Sequence, residues 1–205
     1  MRTFARFFLL AAACALATGC APKPVKTSEN LKAAYNGEST ASAKYAQFAE
    51  RAKAEGYDTI AVMFLATSKA EAIHAANHKK VLEKLGVIVE APELGSFSVL
   101  STAENLEDAI KGETYEVETM YPGFIKDAQT EKAADAVKSF TWADDTEKKH
   151  AVFYERALQA LKGAGEKDLP LTWFVCPVCG NTYDLPTVAN TCDFCMTAKE
   201  KFIVF

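Results

Sequence analysis

Two Glu-x-x-His pairs, Glu71/His74 and Glu147/His150, lie 76 residues apart, and each follows a further glutamate, Glu38 or Glu113, by 33 or 34 residues. On a helix, residues i and i+3 project from nearly the same face, so each pair can offer one oxygen and one nitrogen ligand inward. Two more helices bringing Glu38 and Glu113 would complete a site of four carboxylates and two imidazoles, the composition of two-metal carboxylate bundles. These donors suit iron or manganese, and two such ions with bridging carboxylates bind dioxygen or peroxide between them. One Glu-x-x-His arises by chance in any acidic helix, but only three histidines are present and two occupy such pairs. The third, His78, sits beside Lys79-Lys80 and reads as a solvated or rim histidine, with support of the metal ligands as the lesser alternative. A second metal signal is Cys176-x-x-Cys179 with Cys192-x-x-Cys195, two knuckles separated by 12 residues. That spacing suits tetrahedral sulfur ligation better than scattered disulfides or a lone redox dithiol.

The elements that must position these residues follow from apolar periodicity and breakers. An alanine-rich helix is expected from Ser28 to about Glu55, stopped by Gly56, and a second from Tyr57 to Leu85, stopped by Gly86. Residues 87–101, with Pro92 and Gly95, read as an extended crossover. Ser101 or Thr102 with Glu104 or Asn105 offers capping chemistry for a third helix to about Lys126, with a kink or irregularity near Tyr121 because Pro122 follows. A fourth runs from about Thr130 to Lys162, ended by Gly163 and Gly165. Connections of short, long and short length predict an all-α ferritin-like four-helix bundle with the long crossover between helices two and three. From residue 172 to 205 follows a small domain, too short to hold together by apolar burial alone, so a metal or bridges must support it.

The first residues are not core material. Residues 1–19 read as an export signal, with Arg2 and Arg6 before a short apolar run, and Leu16-Ala17-Thr18-Gly19-Cys20 resembles a lipoprotein cleavage site. Cleavage would leave Cys20 to carry lipid, and residues 20–28 would tether a bundle at 29–165, joined through a linker at 166–171 to the sulfur domain. The expected location is therefore exported and periplasmic, with membrane contact only through a lipid anchor at Cys20. The net charge of −4, about −6 once the two signal arginines leave, supports neither nucleic-acid binding nor polybasic membrane binding.

At its metal motifs the chain resembles rubrerythrin. The resemblance rests on Asn30-Leu31-x-x-Ala34-x-x-Gly37-Glu38-Ser39, Glu71-x-x-His74, Gly112-Glu113-x-Tyr115-Glu116-x-x-x-Met120-Tyr121-Pro122 and Glu147-x-x-His150, followed in family order by the cysteine knuckles of a rubredoxin-like domain. It implies a seventh ligand, Glu116, which one iron takes when oxidised in exchange for His74 when reduced. It implies that Glu38 and Glu116 belong with that moving iron, that Glu113 and His150 hold the fixed one, and that Glu71 and Glu147 bridge. Tyr45 and Tyr121 match tyrosines near the site, whose phenols can hydrogen-bond ligand carboxylates. The implied activity is reduction of hydrogen peroxide to water, with Glu116, His74, Tyr45 and Tyr121 as the active residues. The implied cofactors are two Fe ions in the bundle and one Fe on Cys176, Cys179, Cys192 and Cys195, where Zn is the alternative. Trp173, Phe174, Tyr183, Phe202 and Phe205 would build an aromatic shell around that centre, and Asp193 would lower its potential slightly. The implied assembly is a head-to-tail homodimer in which the C-terminal domain of one copy serves the bundle of the other, fed by an unidentified electron donor. Two other functions remain open at this point: an iron oxidase, and a non-enzymatic lipoprotein binding module with a zinc ribbon.

Overall fold

A computed structural model describes residues 24–163 and 166–205; the signal and Cys20 lie outside the described residues. Four long helical segments form the bundle: α1 (Val25–Ala54), α2 (Asp58–Lys84), a composite third segment, and α5 (Ala134–Lys162). The third segment is α3 (Thr102–Tyr115), a π-helical turn (Glu116–Met120) and α4 (Tyr121–Thr130). Residues 87–101 contain no strand and run beside α1, where Asn36 and Thr40 accept the Glu93 and Gly95 backbone N–H groups. The ferritin-like topology with its long second connection is therefore present as expected.

Carboxylates brought from elsewhere in the fold satisfy the orphan N–H groups at the helix starts, where negative charge also suits the helix dipole. Glu131 accepts from the Lys26 and Thr27 N–H groups at α1, and Glu166 accepts from Thr59 and Ile60 at α2. The predicted cap of α3 is a capping box between Ser101 and Glu104, with Glu55 accepting from Thr102 N–H as well. One boundary moves. Because Glu131 caps it and Thr27 is buried, α1 begins at Val25, inside the stretch read as tether.

The irregularity expected near Tyr121 is the π-turn just before it. Pro122 has no N–H to continue the ladder, and one extra residue in the preceding turn absorbs the break. This insertion has a positional effect. In an unbroken helix Tyr121, eight residues after Glu113, would sit about 80° off its face. With one residue inserted, eight steps act as about seven, close to two full turns, and Tyr121 faces inward with Glu113.

Two apolar clusters flank the bundle's centre. One contains Tyr45, Phe48, Ile60, Phe64, Leu106 and Tyr154; the other contains Leu31, Leu82, Tyr121, Phe140 and Ala143. The C-terminal domain is a three-stranded antiparallel sheet, β1 (Trp173–Val175), β2 (Thr182–Asp184) and β3 (Ile203–Val204), in the order β2-β1-β3. Strand alternation divides β1. Trp173 and Val175 enter the first bundle cluster, with Trp173 edge-on to Phe153 at 4.7 Å, while Phe174 turns to the sulfurs. The aromatic shell expected around the cysteines is corrected accordingly. Trp173 and Phe205 pack on the bundle, whereas Phe174, Tyr183 and Phe202 surround the sulfurs together with Phe194 and Trp142. No described helix is long and apolar enough to cross a membrane.

Candidate metal centres

Glu38 comes from α1, Glu71 and His74 from α2, Glu113 from α3, and Glu147 and His150 from α5. All six are buried between the two apolar clusters. They fall into two groups of four, Glu38/Glu71/His74/Glu147 and Glu71/Glu113/Glu147/His150, each with ligand atoms within 4.8 Å of one another. Both groups contain Glu71 and Glu147. His74 Nδ1 lies 3.0 Å from Glu71 Oε2 and 2.8 Å from Glu147 Oε1. His150 Nδ1 lies 3.0 Å from Glu71 Oε1 and 2.8 Å from Glu147 Oε2. Each shared carboxylate thus gives one oxygen to each side.

The donor set fits a pair of cations better than it fits protein alone. Buried polar atoms are normally hydrogen-bonded, yet among the described residues Glu38 Oε2, Glu71 Oε1, Glu113 Oε2, both Glu147 oxygens and His150 Nδ1 find no partner of hydrogen-bonding geometry. Without cations, four buried carboxylates must share charge with two imidazoles. Burial and the neighbouring Glu147 push Glu71 up to about 7. Burial, with Glu147 and Glu71, raises Glu113 well above the carboxylate range. Burial opposes charge on His150, but Glu71 and Glu147 outweigh it and lift the ring to about 10. Burial likewise raises Glu38, but the nearby rings of His74, 3.8 Å from Oε2, and His78, 3.9 Å from Oε1, outweigh it and hold that carboxyl low.

The tyrosines hold opposite ends of the cluster. Tyr45 donates to Glu113 Oε1 at 2.6 Å, and Tyr121 donates to Glu38 Oε1. Such hydrogen bonds orient carboxylate ligands. Glu116 opens the π-turn and stands outside both four-residue groups, half-buried. Partial burial and the charges of Glu38 and Glu113 raise its pKa well above the usual range.

The reading of His78 as a solvated rim residue is overturned. It is fully buried; its Nε2 lies 3.2 Å from Tyr121 Oη and its Nδ1 lies 2.9 Å from Ser139 Oγ. Because Tyr121 gives its proton to Glu38, its oxygen accepts from His78 Nε2–H, and Nδ1 accepts from Ser139. Burial lowers its pKa, consistent with a neutral ring. The chain Ser139–His78–Tyr121–Glu38 supports one end of the site. The available sequence signal was its four-residue spacing from His74, which places both on one face of α2.

The four cysteines are free, and their sulfurs cluster within 4.8 Å, with Cys176 to Cys195 and Cys179 to Cys192 each at 3.4 Å. A tetrahedral metal with sulfur bonds of about 2.3 Å needs sulfurs about 3.8 Å apart, close to this packing. The first knuckle meets the bundle directly. His150 Nε2 lies 2.9 Å from Thr182 Oγ1, and the His74 ring lies against Gly180, with no room between them for a side chain. Asn77 and Arg156 add contacts to Val178 O and Asp184 at 2.9 Å each.

Fold and sites together define a ferritin-like carboxylate bundle carrying a separate cysteine-rich metal knuckle. The rubrerythrin family pattern matches residues 29–158. Rubrerythrin-2 of Clostridium acetobutylicum is 33% identical over 187 residues, covering 89% of this chain and 98% of its own. Nigerythrin of Nitratidesulfovibrio vulgaris is 36% identical over 179 residues, covering 87% and 86%. A solved structure of nigerythrin in a mixed-valence state superposes with a TM-score of 0.79 over the same shares. The chain belongs to the rubrerythrin family.

Proposed function

We propose that this chain is a non-haem di-iron peroxidase that reduces hydrogen peroxide to water, with electrons relayed through iron on Cys176, Cys179, Cys192 and Cys195. The observation that carries this reading is the division of Glu71 and Glu147, whose paired oxygens face His74 on one side and His150 on the other. Support also comes from nigerythrin, whose solved forms include a fully reduced, all-ferrous state and a mixed-valence state. When bound, the two irons supply the two electrons that, with two protons, convert peroxide to two waters.

The protein's own residues set the conditions. Glu71 and Glu147, which belong to both groups, would be shared by the two ions, with Glu38 and His74 holding one and Glu113 and His150 the other. Tyr45 and Tyr121 fix the terminal carboxylates Glu113 and Glu38. Glu116, outside both four-residue groups, would be the reserve carboxylate for the side that His74 serves. The C-terminal domain covers His74 and His150, which excludes water and shortens the route from the sulfurs. In a head-to-tail dimer the same surfaces would be exchanged between two copies. The location, exported and anchored through Cys20, is proposed from residues 1–20 alone, and the electron donor would be a one-electron carrier available there.

The test is metal analysis followed by anaerobic addition of hydrogen peroxide to the iron-loaded, reduced protein. The expected result is two irons in the bundle, one in the four-cysteine site, and loss of peroxide in step with oxidation. Peroxide that persists beside fully reduced protein would overturn the reading.

A further inference from the structure

Lys149 lies on α5 immediately before His150, yet its ammonium reaches into the other domain. Its Nζ donates to Asn181 Oδ1 at 2.7 Å and stands 4.5 Å from the Tyr183 ring centre and 4.8 Å from that of Phe194. All three partners flank the cysteine knuckles. The Asn181 amide is fully buried, and its other end faces sulfur: Nδ2 donates to Tyr183 Oη at 2.7 Å and to Cys192 Sγ at 3.7 Å. The Tyr183 hydroxyl also accepts the Asp193 backbone N–H at 3.0 Å. A continuous line therefore runs from a bundle cation through one buried amide to one ligand sulfur.

We propose that Lys149, acting through Asn181 on Cys192, raises the reduction potential of the four-cysteine iron centre and so couples that potential to contact between the two domains. Adding an electron to iron on four thiolates deepens a net negative charge. A nearby cation and N–H donors to sulfur stabilise the reduced form over the oxidised one. The Lys149 charge polarises the Asn181 amide in the direction that strengthens its N–H···S bond. It also opposes Asp193, which acts in the other direction. Lys149 belongs to the bundle and its partners belong to the C-terminal domain, so the effect exists only while the two are in contact.

Lys149 is a positioning and tuning residue, so the readout is a potential rather than a turnover. The inference rests on the reading that the four-cysteine site holds iron. Iron-reconstituted protein and its variants would be titrated in an optical electrochemical cell, following the ferric–thiolate absorbance. Lys149→Gln should shift the one-electron equilibrium toward the oxidised form by about tenfold, equivalent to about 59 mV. Lys149→Arg should keep the native potential. Lys148→Gln removes the same charge from a neighbour that pairs with Asp144 and Asp145 on its own helix, and should leave the potential unchanged. In an Asn181→Leu background, Lys149→Gln should shift the potential by less than it does alone. A native potential in Lys149→Gln, or an equal shift in Lys148→Gln, would overturn the inference. Absence of any ferric–thiolate band would instead refute the iron reading beneath it.

Discussion

Gly180 and Met196 hold equivalent places, each following the second cysteine of a knuckle. Both have positive φ, 86° and 61°, and both donate N–H to the carbonyl of the first cysteine, Cys176 at 3.0 Å and Cys192 at 2.9 Å. Their surroundings differ. The Met196 side chain is 71% exposed, whereas a Cβ at Gly180 would stand 2.3 Å from His74 Nε2 and 3.2 Å from the Ala70 carbonyl. Gly180→Ala therefore carries two costs. The left-handed backbone costs a non-glycine residue about 1–2 kcal/mol. Relief of the overlap requires the domain or the His74 ring to move by about 1 Å, an overpacking cost of about 1–3 kcal/mol. Gly56 isolates the first cost, because its φ is 85° and nothing among the described residues lies within 4 Å of its would-be Cβ. Urea and thermal unfolding of the metal-loaded protein should show Gly180→Ala less stable than Gly56→Ala by about 1–3 kcal/mol, each kcal/mol worth about 2–4 °C in Tm. Equal losses in the two variants would refute a knuckle seated on His74.

Three further predictions follow from the same geometry. His78→Ala strands the Ser139 hydroxyl and removes a donor from Tyr121, so it should cost about 2–3 kcal/mol in urea unfolding; a loss below about 0.5 kcal/mol would restore the solvated reading. Metal uptake by the empty bundle must displace protons from His150, held up to about 10, and from Glu71, at about 7. These raised pKa values, with those of His74 and Glu113, weaken binding as pH falls, so Co²⁺ affinity should drop by at least about tenfold per pH unit between 10 and 7 and more steeply below 7, whereas a flat profile would contradict the proton inventory. Chelating the four-cysteine metal should unfold residues 172–205 while the bundle helices persist, since so short a segment lacks the core to fold alone; hydrogen exchange that stays slow in β1 and β2 after chelation would show otherwise.

Much of the site was legible because helical periodicity is rigid. An i, i+3 pair on a long helix can point only one way, so Glu71/His74 and Glu147/His150 met Glu38 and Glu113 where their spacing required. The long crossover was legible from Pro92 and Gly95. Contacts between distant segments left no comparable signal. Nothing local in Cys179-Gly180-Asn181-Thr182 reveals that Gly180 meets His74 or that Thr182 meets His150. Pro122 announced a disturbance but not its form, because a kink and a π-turn both accommodate the missing N–H. His78 was misread because its lysine neighbours point outward while its own face of α2 points in. Trp173 and Phe205 were assigned to the sulfurs by proximity in sequence, whereas strand alternation turns them to the bundle.

The central claim is a paired-iron site built to react with peroxide. Its most direct measurement is stopped-flow reoxidation of the fully reduced, iron-loaded protein by hydrogen peroxide and, separately, by air-equilibrated buffer. Peroxide is expected to reoxidise both the bundle irons and the four-cysteine centre faster than oxygen does. Reoxidation by peroxide no faster than by air would contradict it.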